Sequence, residues 1–332
     1  MKSGRHRTKS QMLVKDFQER SEKCHDYVKT SFLSEHIEDK KLQRALEYYF
    51  SYWNDFTHPG IFSIAFEAAG GKLENAVRPQ AAMAMMAAAF DIHDDIIDGS
   101  KRKHGRLTVF GKFGQDIALL LGDAFLIKGF TLLSDSVAEL IVEKEREVFA
   151  TVKKCLFEVG NAHAQELDAK GKFDVSPDDY LHVLEMKAAS IEADTHVAAL
   201  IAGGSEKEID ALREYGRILG VLATLREEFV DIFEVEELTR RVQSETLPIP
   251  IMLALQEKKT KEKIMKLLRK GKITTNGVDK LASVLLDTEP VARLKRKMEK
   301  LCERGISLAG QITDRKSKSL LSYLAQSMLE DL

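Results

Sequence analysis

Six prolines, at 59, 79, 177, 248, 250 and 290, are all that a chain of 332 residues carries, and the spans between them are dominated by Ala, Leu, Glu and Lys. Proline is the residue a helix interior tolerates least, and those four are among the strongest helix formers. Long helices are therefore expected. No sustained period-2 run rich in Val, Ile and Thr competes with them. Segments such as Tyr180-Leu-His-Val-Leu-Glu-Met-Lys-Ala-Ala-Ser-Ile191 repeat apolar residues at spacings of three and four. Breaks at Thr57-His-Pro-Gly60, Gly70-Gly71, Gly99 to Arg106, Lys170 to Pro177, Gly203-Gly-Ser205, Glu245 to Pro250 and Thr274-Thr-Asn-Gly277 leave helix-length pieces between them. The expectation is an all-α fold: one large helical domain over residues 11–332, behind a basic, disordered tail at residues 1–10.

A hydrophobic content of 44% suffices for a large core. With 50 basic and 52 acidic residues, there is no general electrostatic case for nucleic-acid binding. Cys24, Cys155 and Cys302 are scattered, odd in number and unlike any metal-binding spacing, so a reducing cytoplasm is expected. The N-terminus is basic with no apolar stretch behind it, which is not a signal peptide. The longest apolar run, residues 81–90, is too short to cross a bilayer, and the chain is expected not to span a membrane.

That run ends in Asp91-Ile-His-Asp-Asp-Ile-Ile-Asp98. On a helix Asp94 lies beside Asp98 and Asp91 beside Asp95, and each like-charge pair costs roughly 0.2–0.5 kcal/mol unless a cation neutralises it. Carboxylate oxygens with no His or Cys cluster nearby suit Mg²⁺, which keeps several waters and binds through one or two carboxylates plus substrate phosphates. Arg226-Glu-Glu-Phe-Val-Asp231 repeats the pattern, with Glu227 and Asp231 again four apart. Two acidic helices across an apolar cavity can hold Mg²⁺ around a diphosphate and stabilise its charge as an allylic diphosphate ionises.

Together these motifs resemble the trans-isoprenyl diphosphate synthases, the polyprenyl synthetase family. His93-Asp-Asp-Ile-Ile-Asp-Gly99 is similar to the family's first aspartate-rich motif, and Lys103-His-Gly-Arg-Leu-Thr-Val109 to the R-R-G-x-P-T-V turn after it. Lys112-Phe-Gly114, Leu119-Leu-Leu-Gly-Asp123, Ala164-Gln-Glu-Leu-Asp168, Met186-Lys-Ala-Ala189, Tyr215-Gly-Arg-Ile-Leu-Gly220 and Thr246-Leu-Pro-Ile-Pro250 follow in the family's order. The resemblance covers about residues 50 to 255. It implies an all-helical bundle of the isoprenoid synthase type with a central cavity, usually dimeric, that joins an allylic prenyl diphosphate to isopentenyl diphosphate.

The resemblance also implies roles. Asp94 and Asp98 would hold two Mg²⁺ and Glu227 a third around the bound diphosphate. Asp95, Glu228 and Asp231 would act beside them, Asp231 also as a metal ligand. Lys103 and Lys187 would neutralise the allylic diphosphate, and Gln165 would line the same site. His93 reads as a packing residue.

The departures bear on the acceptor. Where the family has G-G-K-R-x-R-P, this chain reads Trp53-Asn-Asp-Phe-Thr-His-Pro59, so the cations that grip isopentenyl diphosphate are replaced by Asp55, Phe56 and His58. His104 stands for an Arg, the second motif is Glu-Glu instead of Asp-Asp, and Arg240 and Arg241 remain near a missing G-K loop. A second diphosphate would be left with His58, His104 and Arg102 or Arg106. Three readings follow: a synthase with an altered acceptor site, an enzyme that passes the prenyl cation to another acceptor, to water or to an internal double bond, or a non-catalytic subunit paired with an active paralogue. The oligomer is thus expected to be a homodimer or such a heteromer. Ala89 and Phe90, one turn before the first motif, imply products of intermediate length.

Overall fold

The computed structural model describes residues 9–103, 105–268 and 273–330, and its described residues are almost entirely helical. The chain opens with α1 (Lys9–Leu33), α2 (Lys40–Phe50), α3 (Thr57–Ala68) and α4 (Leu73–Ile97). A hairpin of β1 (Arg102–Lys103) and β2 (Arg106–Leu107) leads to α5 (Val109–Phe113), α6 (Gln115–Val137) and α7 (Val142–Ala169). Then come α8 (Pro177–Lys187), α9 (Ala189–Ala202), α10 (Glu206–Val230), α11 (Val235–Ser244) and α12 (Ile249–Ala254). The chain closes with α13 (Lys258–Leu268), α14 (Thr275–Leu286), α15 (Glu289–Ala309) and α16 (Arg315–Ser327). Met1 to Thr8 of the expected tail lie outside the described residues, while Lys9 and Ser10 open α1. The contacts divide into two compact units, one running up to Val148 with Val197–Glu206, the other comprising Phe149–His196 and the chain from Lys207 onward.

In the first unit α4 is the central helix. Its Ala- and Met-rich stretch is buried on every side from Gln80 to Met86, as expected of a helix that is apolar all round. Pro79 lies inside it, which removes one backbone hydrogen bond. The neighbouring Gln80 offsets this by donating to Pro59 O at 2.7 Å and Arg20 O at 3.2 Å, tying α4 to α3 and α1. The segment Thr57-His-Pro-Gly60, expected as a break, instead forms the first turn of α3. Asp55 Oδ1 accepts from the backbone N–H of Thr57 at 2.9 Å and of His58 at 3.3 Å, so the preceding carboxylate starts the helix.

Small residues set how closely α6 approaches α4. A Cβ on Gly122 would sit 2.4 Å from His93 Nε2, and one on Gly129 would sit 2.9 Å from Ala82 O. Gly122→Ala must push the His93 ring aside, and His93 belongs to the acidic turn itself. A loss of about 1–3 kcal/mol is expected in urea unfolding, the usual cost of overpacking. Wild-type stability would show that α6 shifts freely. By length and composition α6 is also apolar enough to cross a membrane, though only a third of its apolar window is buried here.

The second unit is knit by equally close contacts. A Cβ on Gly220 would lie 2.8 Å from Ala188, and one on Gly216 would lie 2.0 Å from Thr195 Oγ1. Tyr215, fully buried, donates its hydroxyl to Leu321 O at 2.7 Å and joins α10 to α16.

Candidate active site

The acidic run forms the last turns of α4, with Asp98 as the C-cap. The hairpin then folds back, pairing Arg102 with Leu107 and Lys103 with Arg106, so that Lys103 returns to the carboxylates it follows in sequence. Its Nζ lies 2.8 Å from Asp95 Oδ1, 3.5 Å from Asp94 Oδ2 and 3.7 Å from Asp91 Oδ1. Burial disfavours the ammonium, but the three carboxylates outweigh it and raise the Lys103 pKa. Gly105, at φ 77°, makes the tight turn possible. His104, expected to bind substrate, lies outside the described residues.

Asp95 is 5% exposed. Its buried Oδ1 meets the Lys103 ammonium at 2.8 Å. Burial pushes this carboxyl up to about 6 against the pull of Lys103. A carboxyl whose folded pKa exceeds its unfolded value of about 3.9 stabilises the fold fully below that value. The contribution is lost as pH rises through about 6. Asp95→Asn is therefore expected to flatten the fall of stability between about pH 4 and 6 in urea titrations. An unchanged slope would show that residue 95 is not the titrating group.

A cavity of about 310 Å³ opens beside this turn. Asp91, Asp95, Lys103 and Arg106 line it together with Tyr49, Tyr52 and Trp53 from α2 and the loop after it. His58 and Asp55 also line it, as the alignment with the family's cation positions implies, but Phe56 does not; its ring packs 5.2 Å from His25. Arg106 lies over the Tyr52 ring at 4.3 Å. Arg102 Nη2 donates to Gly105 O at 3.0 Å within the hairpin. The aromatic residues of this wall were missed in the sequence, although their 49, 52, 53 spacing is a helical stripe. Ala89 and Met86 are buried and Phe90 is half-buried.

In the second unit Lys187 Nζ pairs with Glu166 Oε2 at 2.6 Å, and the adjacent Gln165 is exposed. Glu227 is exposed near the end of α10, and the surrounding protein raises its carboxyl by desolvation against the charge of Lys187. Glu228 and Asp231 are gathered by Arg241, which donates to Glu228 Oε1 at 2.8 Å, Asp231 Oδ2 at 2.6 Å and Thr246 O at 2.7 Å. Tyr180 O–H and Ile249 N–H also donate to Glu228, at 3.2 and 2.7 Å. Burial pushes the Asp231 carboxyl up to about 7 despite Arg241. Arg240 binds Glu237 and Glu245. Both arginines are thus committed to carboxylates of their own unit, a role that the sequence reading did not give them.

Among the described residues no three His, Cys, Asp or Glu side chains converge to hold a metal by themselves. The chemistry available is a hard-oxygen turn with one lysine across it, suited to an ion that takes its remaining ligands from phosphate and water.

A sequence profile of the polyprenyl synthetase family matches residues 39–285. The chain is 28% identical over 244 residues to a short chain isoprenyl diphosphate synthase of Methanothermobacter thermautotrophicus, spanning 71% of this chain and 74% of that protein. Its fold matches geranylgeranyl pyrophosphate synthetase from Pyrococcus horikoshii with a TM-score of 0.83 at 20% identity, over 98% of this chain and 100% of the other. Geranylgeranyl pyrophosphate synthase from Corynebacterium glutamicum, solved with isoprenyl diphosphate and magnesium, matches with a TM-score of 0.78 at 22% identity, over 96% and 99% of the two chains. The matched residues include the acidic turn, the hairpin and the second motif at the end of α10, and this chain belongs to the polyprenyl synthetase family of trans-isoprenyl diphosphate synthases.

Proposed function

We propose that the chain is a Mg²⁺-dependent prenyltransferase that ionises an allylic prenyl diphosphate and condenses it with isopentenyl diphosphate. The acidic turn of α4 carries this reading: four carboxylates with a lysine drawn among them, in a family whose members include the magnesium and isoprenyl diphosphate complex above. The donor set fits magnesium, being all carboxylate. Asp94 and Asp98 are the proposed ligands in the first unit and Glu227 and Asp231 in the second, for three ions in all. Bound Mg²⁺ would neutralise charge on the departing diphosphate. Lys103 in the first unit would exchange its carboxylate partners for diphosphate oxygens in charge-assisted hydrogen bonds, and Lys187 in the second is proposed to give up Glu166 for phosphate in the same way. Asp95 would keep Lys103 placed, while Gln165, His58 and His104 would contact substrate.

The wall of the cavity supports weak use of isopentenyl diphosphate. Each cationic hydrogen bond to a phosphate is worth roughly 1.5–3 kcal/mol, so the loss of several raises KM by powers of ten. A KM for isopentenyl diphosphate far above the micromolar range is expected in steady-state assays with farnesyl diphosphate. Because His58 lines the cavity, His58→Arg should lower that KM. A micromolar KM in the unmodified protein would contradict the reading.

The exposed apolar side chains Leu119, Leu120 and Ile127 on α6 support a homodimer, or a heteromer with a paralogue, which light scattering of the purified chain distinguishes from a monomer. Cys24, Cys155 and Cys302 are all buried and in no disulfide, which supports a cytoplasmic setting.

A further inference from the structure

The hairpin after the acidic turn carries its second cation two residues later than the family pattern has it. Position 104, an arginine in that pattern, is histidine, and the arginine stands at 106. The register of the hairpin decides where this moves the charge. Lys103 and Arg106 are paired directly across the two strands, and residues paired in this way project from the same face of an antiparallel ladder. Arg106 therefore shares the face of Lys103, whose ammonium sits among the carboxylates of α4. Both side chains line the cavity beside the turn, whereas Arg102, paired with Leu107, does not. Arg102 is exposed and donates to Gly105 O within the hairpin.

Arg106 is also held in place. Its guanidinium lies over the Tyr52 ring at 4.3 Å, the Tyr52 ring meets that of Tyr48 edge-on at 5.2 Å, and Tyr48 donates its hydroxyl to Leu107 O at 2.7 Å. Two tyrosines one helical turn apart thus fix both the backbone of β2 and the side chain it presents. A guanidinium resting on a ring gives up no hydrogen-bond donor to it, so its N–H groups remain for an anion in the cavity. His58 lines the same cavity. Asp55 lines it too and opposes an anion there, so a single arginine supplies a grip without high affinity.

We propose that Arg106 is the cation that receives the diphosphate of the acceptor in this chain, and that Tyr48 and Tyr52 are positioning residues that hold it toward the cavity. The inference rests on the condensation proposed above and names how its acceptor is held once the cations that the family pattern places before α3 are gone. Lys103 serves the allylic diphosphate and Arg106 the acceptor, so two residues paired across one hairpin divide the two substrates between them. The arginine at 106 is then a determinant of acceptor use that leaves the allylic substrate alone.

Steady-state kinetics of the full chain with Mg²⁺, farnesyl diphosphate and isopentenyl diphosphate tests the assignment. In Arg106→Gln, kcat/KM for isopentenyl diphosphate should fall about ten- to a hundredfold, the worth of one charge-assisted hydrogen bond, while the KM for farnesyl diphosphate stays within about twofold. Arg106→Lys should recover part of the loss, since it keeps the charge without the planar fork. Tyr52→Leu should lower the same kcat/KM about three- to tenfold, and Tyr52→Phe, which keeps the ring under the guanidinium, should restore it. Failure of Tyr52→Phe to restore it would overturn the positioning role of the ring. Elongation that Arg106→Gln leaves unchanged, or that Arg102→Gln impairs in its place, would overturn the assignment of Arg106 and leave the proposed synthase activity standing. A fall in Arg106→Gln that is equal for both substrates would also overturn it. No elongation by the unmodified chain at any concentration of isopentenyl diphosphate would overturn the synthase reading, and this inference with it.

Discussion

Asp94→Ala or Asp98→Ala is expected to reduce turnover about a thousandfold or more while the protein stays folded. Metal-borne stabilisation of a leaving group is worth on the order of several kcal/mol, and each 1.4 kcal/mol is about a factor of ten in rate. The fold should tolerate the change because Lys103 keeps its 2.8 Å contact with Asp95 when Asp94 is lost. Removing one of two like charges a turn apart also relieves roughly 0.2–0.5 kcal/mol. Steady-state kinetics with thermal unfolding on the same samples separates the effects. Unfolded variants would show that the acids are structural, and full activity would remove Asp94 and Asp98 from the site.

Arg241→Leu should be the most damaging single change to stability, at about 3–5 kcal/mol, because it leaves a buried carboxylate uncompensated. Arg241 joins Glu228, Asp231 and the Thr246 carbonyl, and Glu228 is only 4% exposed. The loss is a large share of the roughly 5–15 kcal/mol that a folded domain holds. Arg241→Lys should recover only part of it, since an ammonium cannot donate in the planar fork that meets both carboxylates. Adding Glu228→Gln to Arg241→Leu should restore part of the loss by removing the stranded charge. Urea midpoints measure all three variants. A loss under about 1 kcal/mol for Arg241→Leu would mean that solvent reaches Glu228 readily.

The helical class was legible because scarce proline and the three-and-four spacing of apolar residues act locally. The acidic turn was legible because carboxylates after an apolar run are costly wherever they fold. Boundaries were less so: Thr57-His-Pro-Gly60 looks like a break, yet Asp55 caps it into α3, a side-chain hydrogen bond that composition does not reveal. Lys103 could be placed in the site by resemblance, but its contacts with three carboxylates depend on the hairpin register. That the Tyr49 hydroxyl has no hydrogen-bond partner among the described residues could not be foreseen, because satisfaction is a property of packing. Arg241 reads in sequence as a spare cation; only the fold shows it buried against Glu228.

The most direct measurement is the fate of farnesyl diphosphate incubated with the purified chain, isopentenyl diphosphate, and either Mg²⁺ or a chelator. Diphosphate release and a prenyl product lengthened by one isoprene unit, both lost in chelator, are the expected result. Intact farnesyl diphosphate in the presence of Mg²⁺, or equal turnover in chelator, would contradict a metal-dependent prenyltransferase built on the acidic turn.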